Sequence, residues 1–238
     1  MAHLVEAPLI DYTAFLMACK NGHLKIAELL MQNSDEFKID LNATDRFHNS
    51  ALHLACMNGH TKIVQMFVQK TAEFNIDLNA KNFVDYSAFY WACKNGHNEI
   101  VQMLVQKSVE FNIDLNAKDC NGWTTFHFAC LIGQAQIAQI LIENSVGSNI
   151  DLNARDDDGW TAFHLACYWG KTQIVEMIIK NADLFKIDVT AKTNEGKTGF
   201  QLAEIERNLN VINLIKRKMP SLADLYLPDS KRHQFLKK

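Results

Sequence analysis

Apolar residues recur along the chain with a helical period, most clearly in its second half. Ile174, Val175, Ile178 and Ile179 follow the spacing i, i+1, i+4, i+5. One apolar stripe at this spacing is typical of an amphipathic helix. A shorter apolar run over residues 162–167 precedes it. The pattern therefore predicts two consecutive helices.

Polar turn signals bound these two predicted helices. Residues 156–159 read Asp-Asp-Asp-Gly, which favours a turn, and Thr161 is a suitable N-cap for the first helix. Gly170 suits the left-handed conformation that ends a helix. An apolar segment beginning at Ile187 then leads into the next turn. We therefore predict the order turn, helix, helix, extended loop.

The same arrangement recurs with a period of 37 residues. The string I-D-L-N starts at positions 39, 76, 113 and 150, and the variant I-D-V-T starts at 187. An Ala-Cys pair ends at positions 19, 56, 93, 130 and 167, again 37 apart. A segment this short cannot bury its own apolar face, so neighbouring repeats are expected to stack. Six repeats follow: 8–44, 45–81, 82–118, 119–155, 156–192 and 193–219.

The string D-D-D-G-W-T-A-F-H-L-A-C at 156–167 resembles the ankyrin repeat, whose consensus is D-x-x-G-x-T-P-L-H-x-A. The resemblance covers about residues 8–219. It implies an all-α fold, an ankyrin-repeat solenoid of stacked helix-turn-helix units with protruding turns or hairpin loops. Residues 1–219 are then a single domain and 220–238 a C-terminal tail, in which the string Ser-Leu-Ala-Asp after Pro220 favours a short helix.

The chain departs from this family in its period and in its turns. The period exceeds the usual 33 residues by four, or about one helical turn, so we expect the second helix to be extended by about one turn. Val101, Val105 and Val109 continue the apolar stripe there. Phenylalanines recur near the end of that helix and are expected to pack as a ladder: Phe37, Phe74, Phe111 and Phe185. The turn glycine is replaced in the first three repeats by residue types that tolerate positive φ: Asp11, His48 and Asp85.

Composition narrows the function classes. Hydrophobic residues make up 48% and charged residues 21% of the 238, which excludes intrinsic disorder. A net charge of −3 argues against a nucleic-acid partner. No apolar run approaches the length of about 20 residues that spans a membrane, and no signal peptide is visible. We expect a cytoplasmic protein, with the nucleus as the alternative, that is monomeric on its own.

The sequence offers little catalytic or metal-binding chemistry. Five of the six cysteines share one repeat position and are expected to be buried and unpaired, whereas Cys120 falls on a predicted turn. The resemblance implies that His53, His127 and His164 hydrogen-bond between neighbouring repeats. No nucleophile elbow, phosphate loop or metal-ligand spacing occurs. We expect no enzymatic activity, no metal and no cofactor.

Positions that vary between repeats are free for recognition. In the resembled family, partners bind the turn tips and the concave side of the first helices. Trp and Tyr on such positions favour binding, although the rings could instead pack on neighbouring turns. The predicted partner-binding residues are Phe47, Phe83, Tyr86, Trp123, Leu131, Ile132, Asp157, Asp158, Trp160, Tyr168 and Trp169.

The sequence thus predicts a non-catalytic protein-interaction module. A partner protein or peptide would bind the aromatic-rich concave face of the third to fifth repeats, with basic residues of its own near Asp156 to Asp158. The alternative is an adaptor or regulatory subunit of an enzyme assembly, such as a ubiquitin ligase or kinase complex. That adaptor would dock a second component through its C-terminal tail, which ends in Lys237 and Lys238.

Overall fold

The computed structural model describes residues 13–221. The turn position Asp11 and the tail after Ser221, with its predicted short helix and basic end, lie outside the described residues. The chain divides between Asp114 and Leu115 into two compact units, near the end of the third repeat. The single domain over 1–219 stays a prediction.

In the first unit, two helices per repeat form two layers. The first helices pack side by side, with Ala51–Met57 between Ala14–Lys20 and Ala88–Lys94. Among the second helices, Thr61–Phe74 contacts Leu24–Gln32 and Asn98–Lys107. The helices are α1 (Ala14–Lys20), α2 (Leu24–Gln32), α3 (Ser34–Phe37), α4 (Ala51–Met57), α5 (Thr61–Phe74), α6 (Ala88–Lys94) and α7 (Asn98–Lys107).

The second unit repeats this arrangement. Among the first helices, Ala162–Tyr168 packs between Thr125–Ile132 and Gly199–Ile205. Among the second helices, Thr172–Phe185 packs between Ala135–Asn144 and Leu209–Lys218. Their bounds are α8 (Thr125–Ile132), α9 (Ala135–Asn144), α10 (Ala162–Tyr168), α11 (Thr172–Phe185), α12 (Gly199–Ile205) and α13 (Leu209–Lys218). Residues 13–221 contain helices and isolated bridges but no strand, which confirms the all-α prediction.

The turns have the backbone conformation that the sequence predicts. His48 and Asp85 adopt φ of 60° and 62° at the position where Gly159 has 76°. Thr161 caps α10 by accepting a hydrogen bond from the His164 backbone N–H. Gly170, with φ of 65°, follows the end of that helix, as expected.

The predicted extra turn of the second helix is continuous only in α5 and α11. The first, third and fourth repeats carry serine at the repeat position that Thr71 and Ala182 occupy in those two helices. Ser108 and Ser145 follow the last residues of α7 and α9, and each hydroxyl donates to the carbonyl three residues earlier at 2.8 Å. A serine hydroxyl that bonds its own backbone competes with the helix ladder. This competition explains why α7 and α9 end directly before Ser108 and Ser145.

The prediction that the recurring phenylalanines pack as a ladder was wrong. Phe37 is 55% exposed, and Phe74, Phe111 and Phe185 are half-buried, with no ring-to-ring contact among the four. Val109 is 73% exposed, because α7 has already ended at Lys107. The buried residue in this part of the repeat is instead a small one, three positions before the phenylalanine, such as Ser108 or Ala182.

The I-D-L-N string is explained by an asparagine ladder between consecutive repeats. In the first unit, the Asn79 side-chain amide donates to the Asn112 carbonyl at 2.8 Å, and its oxygen accepts the Asp114 N–H at 2.8 Å. Asn153 binds Lys186 and Asp188 in the same way in the second unit. Each asparagine thus satisfies two backbone groups of the next repeat, which fixes the spacing of the stack.

Candidate functional site

The second unit contains a groove of about 730 Å³ between its turn tips and its first helices. This groove brings together seven of the predicted binding residues: Trp123, Leu131, Asp157, Asp158, Trp160, Tyr168 and Trp169. The other lining residues are Asn121, Asp156, Leu165, Asn194 and Glu195. Sequence reasoning missed Asn121, Asn194 and Glu195, although all three occupy turn-tip positions in the repeat register.

Asp156 organises the turn beside the groove. One carboxylate oxygen accepts the backbone N–H groups of Asp158 at 3.0 Å and Trp160 at 2.7 Å. The other accepts the indole N–H of Trp123 at 2.8 Å. The indole of Trp123 is thereby half-buried and tied to the next repeat. Asp156 is a structural residue, and Trp123 both stabilises the fold through this bond and forms part of the groove wall.

Three rings line the groove as a continuous aromatic cluster. Trp160 and Trp169 both contact Tyr168 edge to face, with ring centroids 5.2 Å and 5.4 Å away. Trp169 is 56% exposed, whereas Trp160 and Tyr168 are half-buried. Leu165, only 3% exposed, lies below them. The predicted Ile132 is 43% exposed but does not line the groove.

The groove is acidic. Asp156, Asp157, Asp158 and Glu195 line it, and none of the lining residues is basic. The side chains of Asp157, Asp158 and Glu195 make no hydrogen bond or ion pair within residues 13–221. Nearby, the Glu206 carboxylate raises the pKa of the Tyr168 hydroxyl. The groove therefore combines aromatic faces with uncompensated negative charge.

The remaining predicted residues belong to the first unit. Phe47 and Phe83 are 40% and 61% exposed on adjacent turn tips, with centroids 5.9 Å apart. Tyr86 is half-buried and stacks on Tyr90 at 3.9 Å. Both tyrosines contact the edge of Trp91. These are turn-tip and helix-cap contacts within the first unit, and they form two small aromatic surfaces there.

Two of the three cap histidines, His53 and His127, hydrogen-bond to the next repeat, which confirms their predicted role. In His53 the Nδ1 atom accepts the Ser50 backbone N–H at 3.2 Å, so Nε2 carries the proton and donates to the Tyr86 carbonyl at 3.0 Å. His127 makes the same two contacts, with the Thr124 N–H and the Trp160 carbonyl. His164 accepts the Thr161 N–H in the same way, but its Nε2 donates to the Ala191 carbonyl at 2.9 Å. Burial lowers the pKa of all three histidines. Protonation of Nδ1 would remove its ability to accept the cap N–H.

The histidines predict a loss of stability below about pH 6.5. Their folded-state pKa lies below the unfolded value of about 6.5, so the unfolded chain binds more protons as the pH falls from there. The slope should reach about 1.4 kcal/mol per pH unit for each histidine that stays neutral when folded. Urea midpoints at pH 7.5, 6.5 and 5.5 measure it. His127→Gln should reduce the slope, because the sixth repeat caps its helix with Gln201. An identical slope in this variant would contradict the assignment.

The cysteine prediction is also confirmed for the described residues. Cys19, Cys56, Cys93, Cys130 and Cys167 are buried and unpaired, whereas Cys120 is exposed. Burial raises the pKa of Cys19 to about 12 and raises that of the other four as well. These thiols are therefore poor nucleophiles and thiolate ligands.

We expect a thiol reagent to label one cysteine quickly in the native protein. Cys120 is exposed, and the other five thiols are both buried and protonated. Labelling should release one equivalent rapidly and five only on unfolding. Cys120→Ser should abolish the fast phase. Rapid release of six equivalents from folded protein would refute the placement of the cysteines.

Residues 13–221 hold no cluster of three or more His, Cys, Asp or Glu side chains placed to bind a metal ion. No helix within these residues has the length and apolarity needed to cross a membrane.

Known proteins resemble this chain along most of its length. A family model described as ankyrin repeats (3 copies) matches residues 3–82, 74–156 and 146–224. The crystal structure of EF0377, described as an ankyrin repeat protein, matches with a TM-score of 0.72 at 21% identity, covering 87% of this chain and 98% of that one. At this identity the structural likeness shows the fold alone. No curated protein matched the sequence.

Proposed function

The chain belongs to the ankyrin-repeat family, and from this premise we propose that it binds a partner protein or peptide through the groove of its second unit. Ankyrin repeats are generally protein–protein interaction modules and typically non-catalytic scaffolds. We therefore propose a recognition protein that positions a partner without chemically changing it.

The exposed ring of Trp169 at the groove is the observation that carries this proposal. A soluble protein normally buries such a ring, and an exposed apolar surface marks an interaction site. Trp169 adjoins Tyr168 and Trp160, and Trp and Tyr are enriched among residues that dominate binding energies. These three rings could cover the flank of their own repeats, but that role does not account for a Trp169 ring that is more than half exposed.

The groove is also organised before a partner arrives. Asp156 fixes the turn and Trp123, and the backbone N–H of Asn194 donates to the Asp158 carbonyl of the preceding turn at 3.0 Å. The Asn194 amide donates to the Asp157 carbonyl at 3.1 Å. Side chains and turns held in place lose little entropy on binding, which favours affinity.

Partner capture by the full chain tests the proposal. The Trp160→Ala/Trp169→Ala double variant should lose the partner that the wild-type chain captures. The matched control is Phe47→Ala/Phe83→Ala, which removes two exposed rings from the turn tips of the first unit. Loss in the control alone would place recognition on the first unit. Capture that ignores both variants but requires residues 220–238 would support the adaptor function instead.

A further inference from the structure

We infer that the groove of the second unit binds the guanidinium group of an arginine supplied by the partner. This inference rests on the proposed function and specifies the chemistry of its ligand. Three observations support it: the charge of the groove, the absence of a cation over its rings, and a lysine that lies over aromatic rings in the first unit.

The charge of the groove calls for a positive ligand. Asp157, Asp158 and Glu195 are exposed, and their carboxylates have no hydrogen-bonding or ionic partner among the described residues. Asp156 adds a fourth negative charge, although its oxygens already accept bonds from the turn and from Trp123. A cleft lined by one sign of charge concentrates ligands of the opposite sign.

The rings of the groove also lack a cation. The face of a tryptophan or tyrosine ring attracts a cationic group within about 6 Å of its centroid. No Lys or Arg within residues 13–221 lies over Trp123, Trp160, Tyr168 or Trp169. Four aromatic side chains and three carboxylates therefore line one groove, and within residues 13–221 the carboxylates form no ion pair and the rings have no cation over them.

In the first unit, a lysine already lies over two aromatic rings. There the Lys94 ammonium lies 4.7 Å from the centroid of Trp91 and 5.7 Å from that of Tyr90. One and two repeats later, the position of Lys94 is occupied by Leu131 and Tyr168. The rings of the groove occupy other repeat positions than Tyr90 and Trp91, whose counterparts include Leu165. The second unit therefore has aromatic rings near the position of Lys94 but no lysine there. A partner side chain can supply the cation that these rings lack.

Arginine fits this groove better than lysine. The guanidinium group is planar and can stack on an indole face while its N–H groups donate in a fork to carboxylates such as Asp157 and Asp158. A lysine ammonium is a compact, strongly hydrated charge that gains less from a ring face. A volume of about 730 Å³ accommodates an arginine side chain with part of its backbone.

A blocked pentapeptide, Gly-Gly-Arg-Gly-Gly, is the probe for this inference. It is titrated into the full chain while the four indole N–H resonances are followed by NMR. We expect saturable shifts for Trp160 and Trp169 and none for Trp91, whose ring Lys94 already covers. The peptide with citrulline, which has the same shape without the charge, should bind at least about tenfold more weakly. Equal binding of the two peptides would overturn the inference.

Two matched pairs of variants locate the site. Asp157→Asn/Asp158→Asn should weaken the arginine peptide about tenfold. Glu176→Gln/Asp183→Asn removes the same charge from exposed residues of α11 outside the groove and should change affinity less than about twofold. Equal weakening in both pairs would mean general attraction to an acidic protein and would overturn the inference.

The second pair tests the comparison with Lys94. Tyr168→Lys should abolish peptide binding, because a new ammonium at the repeat position of Lys94 would place a positive charge in the groove and repel the arginine. Tyr168→Leu removes the same ring without adding charge and should keep measurable binding, since the sequence has Leu131 at this repeat position. Equal affinities in these two variants would contradict the inference.

Two further outcomes separate the inference from its alternatives. Replacing Lys231, Arg232, Lys237 and Lys238 by glutamine in the full chain should leave peptide affinity unchanged. A tenfold increase would show that the chain's own C terminus occupies the groove, and no arginine from a partner would be needed. A captured partner that needs Trp160 and Trp169 but ignores Asp157→Asn/Asp158→Asn would refute the arginine and leave the proposed function standing.

Discussion

The Leu165→Asp substitution is expected to unfold the second unit at room temperature. Leu165 is 3% exposed in α10, and this helix packs against both α8 and α12. An ionised carboxylate buried without a partner costs several kcal/mol. The whole folding free energy of a domain is about 5–15 kcal/mol, so one such residue can remove most of it.

The matched control places the same residue on the surface of the same unit. Leu184 of α11 is 72% exposed, and Leu184→Asp should change stability by no more than about 0.5 kcal/mol. Circular dichroism during urea unfolding measures both variants. If Leu165→Asp unfolds at the wild-type urea concentration, the assignment of inward and outward helix faces is wrong.

Trp169→Ala should reduce affinity for the captured partner by about thirtyfold or more, while stability stays within about 0.5 kcal/mol of wild type. Trp169 is more than half exposed, and within residues 13–221 its one aromatic contact is with Tyr168. Removing it therefore costs the fold little. A partner that encloses the ring would lose a large contact area.

Trp123→Ala is the informative comparison because this ring has a structural partner. Its indole N–H donates to Asp156, the residue that accepts two turn N–H groups. Losing that bond should destabilise the second unit by about 1–2 kcal/mol as well as weaken binding. Calorimetric titration and urea unfolding separate the two effects. Equal stability losses for Trp123→Ala and Trp169→Ala would contradict the roles assigned here.

Features that repeat in sequence could be predicted because each depends on local chemistry. The caps at Thr161 and the glycines after the first helices follow from residue type and backbone conformation alone. The positive φ of His48 and Asp85 follows from the same reasoning. The histidine contacts between repeats came instead from the family resemblance.

Features that depend on one side chain reaching another were not predicted. The bond from Trp123 to Asp156 joins residues 33 positions apart, and the cover of Trp91 by Lys94 depends on side-chain conformation. The I-D-L-N string was visible, but nothing local reveals that Asn153 binds the next repeat. The extra turn was predicted from length, whereas its interruption at Ser108 depends on a hydroxyl that bonds to its own backbone.

Hydroxyl-radical footprinting of the full chain with and without its captured partner tests the central claim most directly. Oxidation rates report the solvent exposure of each aromatic ring, so the contact surface is measured without any substitution. We expect partner binding to slow oxidation of Trp160, Tyr168 and Trp169 by several-fold and to leave Phe47 and Phe83 unchanged. Protection of Phe47 and Phe83, with Trp169 oxidised as fast as in the free protein, would contradict the claim that the groove of the second unit is the recognition site.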